Sequence, residues 1–317
     1  MGKKIIIIDL GTYSVKVGIA GAKEPQYSIR TIMGYSKNSE NLFFGNEALT
    51  KSQNPLPLID YKWDIMEIRW SKIFNFILYI FEEKLNLSVS ELKNYSIVLL
   101  IGPLQPRSHF LKYYEAFFTK FKMAKMLVIS ATRLALLASK KTTGLVVDIG
   151  YKSTRVVPLY EGFRLPHAFN HQDLAGKDID DYDETILQYP RIPEKEYLVP
   201  TSDLILKAIE RCDESIRDEL YSNIILSGWW SADEKVATSL KEQLKKERED
   251  KDINIFIPST HDYNWFSASL LATNKLKKIA KIRYLSKKEF YNKQESDTYL
   301  TFAGIKTKKW GLISYPL

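Results

Sequence analysis

Cysteine is almost absent from this sequence, and it contains no long apolar run. Cys212 is the only cysteine among 317 residues. One thiol cannot form a disulfide framework, and this usage is typical of a reducing compartment. The run Ile5–Ile8 is too short for a secretory signal or a membrane span, and Ile77–Phe81 is followed at once by charged residues. We therefore expect a soluble, cytoplasmic protein that does not enter a membrane.

Acidic residues are in the minority, because 46 Lys and Arg against 38 Asp and Glu give a net charge of +8. The densest basic cluster comprises Lys275, Lys277, Lys278, Lys281, Arg283, Lys287 and Lys288. Neither an aromatic stacking platform nor a nucleic-acid-binding motif accompanies it. We therefore expect no nucleic-acid partner and interpret the cluster as a solvated helix face. A surface for an acidic protein partner is the alternative.

Two strand-and-turn segments carry the strongest functional pattern. The run Ile5–Ile8 leads into Asp9-Leu10-Gly11, and the later run Leu145–Val147 leads into Asp148-Ile149-Gly150. A strand that ends in Asp-x-Gly places a carboxylate beside backbone N–H groups, which a phosphate and its Mg²⁺ can use together. Two such hairpins about 140 residues apart, in a chain long enough for about two domains, predict a duplicated domain that closes on a ligand between its halves.

Hydrophobic periodicity predicts most of the other elements. Near-helical spacing of six apolar residues predicts a helix from Asp64, with the stripe Ile65, Ile68, Ile73, Phe76, Ile77 and Ile80. Ser108 is a candidate N-cap for the next helix. We also predict helices at 131–138, at about 204–211, at 235–248 and at 263–272, and strands at 97–101, 126–129, 154–159, 223–226 and 253–257.

The two hairpins resemble the phosphate-binding hairpins of actins. The similar segments are Asp9-x-Gly11, Lys16, Gly18-x-x-Gly21, Thr142-Thr143-Gly144, Asp148-x-Gly150, Tyr160-Glu161-Gly162, Leu165-Pro166-His167-Ala168, Asp173-Leu174-Ala175-Gly176, Leu226-Ser227-Gly228 and Ser286-Lys287-x-Glu289-x-Tyr291. The resemblance implies an α/β protein of the actin-like fold, with two duplicated lobes and reduced peripheral subdomains. The first lobe would comprise residues 1–138 plus 264–317, with a shortened peripheral segment at about 31–59. The second would span 139–263, with its peripheral insertion reduced to about 177–205.

The same resemblance implies a nucleotide site that would bind ATP or ADP with Mg²⁺. The residues expected to bind the nucleotide are Asp9, Gly11, Thr12, Lys16, Asp148, Gly150 and Gly228. Asp9 and Asp148 would orient the metal through water, and Lys16 would reach the β-phosphate. The alternative is that these residues persist as turn and hairpin structure around an empty cleft.

Four departures from the family pattern predict a degenerate ATPase site and a protein that is not an enzyme. Tyr13 replaces a small glycine in the first phosphate loop, and Tyr151-Lys152 replaces an acidic residue and a glycine in the second. Ala131 stands where the family has the glutamine that positions the attacking water. The pair Trp229-Trp230 replaces the small residues of the adenosine loop, and we expect the two indoles to occupy the floor of the adenine pocket.

Two elements that face the pointed end of an actin filament are shortened in this chain. Only ten residues separate Gly34 from Gly45, which is too few for the loop that actins insert into the next subunit. Only 49 residues separate Gly176 from Leu226, where actins carry a whole subdomain. The resemblance therefore implies a subunit that binds the pointed end of a filament and stops further addition.

Within the superfamily, three local motifs are similar to the divergent actin-related protein family of the dynactin pointed end, in its compact fungal form. They are Asp148–Tyr151 with Pro158–Gly162, Ser108-His109-Phe110, and Lys288–Asn292. This resemblance implies a cytoskeletal protein whose partners are an actin-related-protein filament and other dynactin subunits, and which supports dynein-dependent transport along microtubules without forming a homopolymer.

The docking surface would lie around the helix Tyr263–Ala272 and the segment Lys287–Lys309, with Tyr263, Phe290 and Tyr291 as interface residues. Two alternatives remain open. One is an active actin-like ATPase that assembles its own filament, and the other is an actin-related scaffold subunit of a chromatin-remodelling complex.

Overall fold

The computed structural model describes residues 4–36, 40–62, 65–103, 105–178, 199–273 and 284–292. Most of the basic cluster (275–283) and residues 293–309 of the expected docking surface lie outside this range. Among the helices that are described, none combines the length and the apolarity that crossing a bilayer requires.

Strands and helices alternate along the chain. The strands are β1 Ile5–Leu10, β2 Ser14–Ile19, β3 Tyr27–Arg30, β4 Ile32–Tyr35, β5 Leu42–Phe44, β6 Leu56–Pro57, β7 Ile59–Lys62, β8 Ile65–Ile68, β9 Ser96–Ile101, β10 Lys125–Ser130, β11 Gly144–Ile149, β12 Thr154–Tyr160, β13 Phe163–Arg164, β14 Asn170–Gln172, β15 Ile224–Gly228, β16 Ile255–Phe256 and β17 Leu285–Ser286. The helices are α1 Asn46–Lys51, α2 Trp70–Tyr79 with a π-helical turn Ile80–Lys84, α3 Val89–Leu92, α4 Arg107–Thr119, α5 Ala131–Ala138, α6 Thr201–Glu210, α7 Glu214–Ser222, α8 Glu234–Glu247, α9 Tyr263–Ala272 and α10 Lys287–Asn292. Short 3₁₀ turns occur at Pro166–Ala168, Gly176–Asp178 and Trp229–Ala232.

The first lobe is built on a sheet with the strand order β17-β10-β9-β1-β2-β3. Strand β1 pairs in parallel with β9 and antiparallel with β2. Ile6 and Ile8 of β1 join one hydrophobic core, whereas Ile7 joins another on the opposite face. A strand covered on both faces requires an unbroken apolar run, so the first charged residue of β1, Asp9, comes only near its end.

The second lobe repeats this design on a sheet with the order β13-β12-β11-β15-β16, and β14 pairs with β12. Strand β11 pairs antiparallel with β12 and in parallel with β15. Leu145 and Val147 face one core and Val146 faces another. Asp148 therefore occupies the same place in β11 that Asp9 occupies in β1.

Helices α5 and α9 lie between the two sheets and pack against both. Leu134 and Leu137 of α5 join the core beneath the first sheet, and Leu136 joins the core beneath the second. In α9, Trp265 packs on the first-lobe side and Tyr263 on the second-lobe side. A helix covered on both sides is apolar around its circumference, and these two helices join the lobes into one body.

In the residues that the structure describes, the peripheral part of the first lobe is small. In the first lobe, the Ser36 N–H donates a hydrogen bond to the Asn41 carbonyl at 2.9 Å and closes the hairpin of β4 and β5. In the second lobe, Leu204, Leu220 and Leu240 of helices α6, α7 and α8 pack into the same core as β11. These three helices therefore cover the sheet and do not form a separate subdomain.

Several predicted boundaries are wrong for local reasons. Residues Ile65–Ile68 form a strand that pairs with Ile59–Lys62, and the helix begins only at Trp70. The helix predicted after Ser108 begins at Arg107, with Pro106 at the N-cap position. The predicted strand 253–257 is reduced to β16, and helix α6 begins at Thr201, directly after a proline that fixes its entry.

Two of the three expected interface residues lie in the core. Phe290 is 1% exposed, and its ring centroid lies 5.9 Å from that of Tyr114 and 5.5 Å from that of Phe118. Tyr263 is also buried and packs on Phe256. Tyr291 alone is exposed, at 41%. The helix α9 is buried between the sheets, so neither it nor Phe290 can serve as a docking surface.

The burial of Phe290 predicts a clear difference between neighbouring variants. Phe290→Ala should lower the free energy of unfolding by about 3–5 kcal/mol, because it removes a ring from the core. Tyr291→Ala, on the same helix, should lower it by about 1 kcal/mol or less. Denaturant unfolding followed by circular dichroism measures both values. Similar losses for the two variants would contradict this packing.

Candidate functional site

A cleft between the lobes contains a cavity of about 350 Å³ where the two hairpins meet. All seven residues that the sequence proposed for nucleotide binding line it: Asp9, Gly11, Thr12, Lys16, Asp148, Gly150 and Gly228. Ala131 also lines it, at the first position of α5, and offers only a methyl group. The duplicated strands explain this convergence, because β1 and β11 both deliver their polar ends to one place.

Gly228 is required by the backbone at the end of β15. Its φ is +94°, and a Cβ added there would lie 2.2 Å from the Ile149 carbonyl oxygen. Only glycine adopts this conformation without strain and allows this close approach. The close contact holds β15 against the end of β11 beside the cleft.

Each hairpin places an acid directly opposite a base. Asp9 pairs in register with Lys16, and Asp148 pairs in register with Arg155. Opposite residues of an antiparallel pair lie on the same face of the sheet. Because side chains alternate between the two faces along each strand, both acid–base pairs lie at the cleft. The same alternation is the sequence signal from which Arg155 could have been recognised.

The second-lobe carboxylate is held by its own neighbours. Arg155 Nη1 lies 3.4 Å from Asp148 Oδ2, and Ser227 Oγ donates a hydrogen bond to Asp148 Oδ1 at 3.1 Å. Asn264 Nδ2 in turn donates to Ser227 Oγ at 3.1 Å. Asp148 therefore already has a cation and a hydroxyl as partners. Water ligands of a metal could bind Asp148 only if these partners were displaced.

Lys16, the basic residue of the first hairpin, is also paired with a carboxylate. Lys16 Nζ lies 2.5 Å from Asp262 Oδ1 and 3.3 Å from the His261 carbonyl oxygen, which accepts a hydrogen bond from it. The ammonium group also lies 5.9 Å from the centroid of the Trp229 ring. Asp262 was missed by sequence reasoning, because it lies 246 residues from Lys16 and no local pattern marks it.

Asp9 ionises less readily than an ordinary aspartate. The pKa of its carboxyl is raised to about 6, chiefly by burial in the cleft; Lys16 opposes the shift, and the nearby carboxylates of Asp148 and Asp262 contribute to it. Desolvation disfavours the charged form of any carboxyl group. The cleft is therefore a poor environment for an anion at this position unless a cation binds.

The tyrosines that replace phosphate-loop residues meet each other across the cleft. The ring centroids of Tyr13 and Tyr151 are 4.6 Å apart, with an interplanar angle of 55°. The Arg30 guanidinium lies 3.9 Å from the centroid of the Tyr13 ring, and its Nη1 donates to the Tyr13 hydroxyl at 3.1 Å. Lys152, the next residue of the second loop, forms an ion pair with Asp60 of the first lobe.

The two tryptophans form a wall of the cleft and do not fill it. Trp229 is 55% exposed and stacks on the His261 ring, with centroids 5.2 Å apart and an interplanar angle of 23°. Trp230 lies beside Gly176. Both indoles line the cavity of about 350 Å³, and their place at the floor of an adenine pocket stays a prediction.

The cleft does not fit the phosphates and metal of a nucleotide well. Within the described ranges, no group of three or more His, Cys, Asp or Glu side chains could hold a metal ion. Lys16 and Arg155 are paired with carboxylates. Tyr13 and Tyr151 are in contact where the two phosphate loops face each other. A triphosphate would compete with these contacts for the same charged groups.

The raised pKa of Asp9 predicts a pH-dependent gain in stability for Asp9→Asn. The folded state holds the Asp9 proton more tightly than the unfolded chain, so ionisation costs folded-state stability as the pH rises from about 4 through about 6. At pH 7.5 the variant should unfold with a free energy higher by roughly 1–3 kcal/mol, at about 1.4 kcal/mol per pKa unit. The gain should shrink toward pH 4.

Urea unfolding of wild type and Asp9→Asn across this pH range checks the sign. Glu249→Gln, at an exposed carboxylate, is the control and should stay within about 0.5 kcal/mol of wild type throughout. Lower stability of Asp9→Asn at pH 7.5 would mean that the carboxylate is favourable there, and would refute the assigned shift.

Comparison with known proteins agrees with this architecture. A sequence model of the family described as Actin matches residues 2–199 and 188–297. Actin-like protein 7A of Bos taurus is 30% identical over 195 residues, covering 56% of this chain and 42% of the relative. The protein of the same name from Homo sapiens is 29% identical over 187 residues, with the same coverage. The chain thus spans less than half the length of these curated relatives. The family match covers most of the chain, and the chain belongs to the actin family, with the actin-like α/β fold.

Proposed function

We propose that this chain is a non-catalytic actin-family subunit that caps the pointed end of the actin-related-protein filament of dynactin. In that role it would be a cytoplasmic, cytoskeletal protein that supports dynein-dependent transport along microtubules. The observation that carries the proposal is the closed hairpin of β4 and β5. Only four residues lie between Ser36 and Asn41, and the Ser36 N–H donates a hydrogen bond to the Asn41 carbonyl.

The lack of hydrolysis is supported by the lining of the cleft. Phosphoryl transfer depends on positioning a nucleophile and stabilising charge, and Ala131 has no group that can orient a water. The contact between Tyr13 and Tyr151 and the ion pair between Lys16 and Asp262 occupy positions that a phosphate chain would need. We propose that these contacts hold the lobes together without nucleotide.

The filament end that this chain would cap follows from which of its elements are small. In actin filaments, the peripheral subdomains face the pointed end and the core subdomains face the other. In this chain the β4–β5 hairpin is too short to insert into a neighbour, and only residues 179–198 separate Asp178 from Val199 before α6 joins the core. Such a subunit retains the face that docks on a pointed end and offers little to a further subunit.

Tyr291 remains the candidate anchor of the docking face. It is exposed on α10, the helix whose other side buries Phe290 in the first lobe. An aromatic side chain that is rigidly presented in this way is typical of interface hot spots. Dynactin subunits are proposed as partners on the resemblance of local motifs, and the name of the relatives, actin-like protein 7A, specifies no partner.

Binding to one filament end is the expected result for labelled protein mixed with dynactin actin-related-protein filaments. Tyr291→Ala should weaken end binding by on the order of 2 kcal/mol, about thirtyfold, because it removes an interface anchor. Tyr35→Ala, at 44% exposure on the peripheral sheet, is the matched control and should bind as wild type does. Single-molecule fluorescence microscopy measures position and affinity, and melting temperatures confirm that both variants fold.

Decoration along filament sides, or at both ends equally, would rule out the capping proposal. Self-assembly of the purified protein with steady ATP turnover would favour an active filament-forming ATPase instead. Recovery of remodelling-complex subunits from extract, without dynactin, would favour the chromatin scaffold.

A further inference from the structure

A second cavity, of about 110 Å³, lies next to the cleft between the two lobes. Its first-lobe wall includes Ser130, directly before α5, and its second-lobe wall is the β12–β13 hairpin. Gly102 and Gln105 line both cavities. The space is too small for a nucleotide, because drug-sized and cofactor ligands occupy roughly 300 Å³ or more.

An unpaired arginine is buried at this cavity. Arg133 is 8% exposed, and its Nε has no hydrogen-bond partner. Within the described parts of the chain, no ion pair joins it to a carboxylate. Its nearest aromatic contact is Phe163, whose ring centroid lies 5.9 Å from the guanidinium carbon. A buried charge without a counter-charge is costly, so a compensating group is expected.

A second arginine lines the same cavity. Arg164 is half-buried and lines the cavity. Burial lowers the pKa of both arginines, and burial together with repulsion from Arg164 lowers that of Arg133 to about 10. Gln105 is buried as well, and its Oε1 accepts no hydrogen bond. As an acceptor, this oxygen can take a hydrogen bond only from a protonated group, such as the hydroxyl of monohydrogen phosphate.

We propose that this cavity binds one small oxyanion, with phosphate as the representative, between Arg133 and Arg164. The planar guanidinium donors match the oxygens of a tetrahedral anion. The N-terminal end of α5, beside Ser130, adds partial positive charge. The anion would offset the repulsion between the arginines and join the α5 side of the first lobe to the β12–β13 hairpin of the second. This site does not depend on the proposed capping role.

Titration of the purified protein with inorganic phosphate at constant ionic strength tests the proposal. The melting temperature of wild type should rise saturably. Arg133→Met should abolish the rise and should be at least as stable as wild type without phosphate, because the uncompensated charge is gone. Arg211→Met, at an exposed arginine, should leave the response unchanged.

The absence of a saturable response in wild type, or its persistence in Arg133→Met, would overturn the proposal. Loss of the response in Lys16→Met with retention in Arg133→Met would place the anion in the main cleft, which would also overturn it.

If Arg133→Met does not fold, Arg133→Lys keeps the charge but not the planar donors. It should bind phosphate about tenfold or more weakly by ³¹P line broadening, and an unchanged affinity would refute the site.

Discussion

The packing of α5 and α9 between the two sheets is the constraint on which the other features depend. Leu134 and Leu136, two residues apart on α5, serve different sheets, so neither sheet can move far without uncovering apolar surface. Strands β1 and β11 are covered on both faces and can place charged groups only near their ends. Because the shared helices fix the sheets relative to each other, those ends meet at one cleft. The position of Asp9 and Asp148 is therefore a consequence of core packing.

Residues at this cleft contact one another directly across the two lobes. Tyr13 contacts Tyr151, Lys152 pairs with Asp60, and Lys16 pairs with Asp262. Exposed ion pairs contribute about 1 kcal/mol or less, but aromatic pairs and partly buried pairs contribute more. In an actin-family protein that binds nucleotide, the ligand joins the lobes. In this chain the departures in the two phosphate loops, Tyr13, Tyr151 and Lys152, supply a direct connection between the lobes, which suits the proposed subunit with a fixed shape.

The sequence predicted what local patterns determine. The predicted bounds of α5 and α9 are confirmed, and the two hairpins are confirmed because Asp-x-Gly ends a continuous apolar run. Ile65–Ile68 was assigned to a helix because its spacing of three fits the helical period, but pairing with β7 makes the segment a strand. The burial of Phe290 and the pairing of Lys16 with Asp262 depend on how distant parts of the chain pack. Neither leaves a local signal.

The distance between the lobes with and without Mg·ATP tests the central claim most directly. Cys212 is buried, so spin labels can be placed selectively on Leu49→Cys in α1 and Glu219→Cys in α7, both exposed positions on different lobes. Pulsed electron paramagnetic resonance should give one narrow distance distribution that Mg·ATP leaves unchanged. A broad distribution in the absence of nucleotide that narrows and shortens on addition of Mg·ATP would show that the ligand, and not the side chains of the cleft, holds the lobes together.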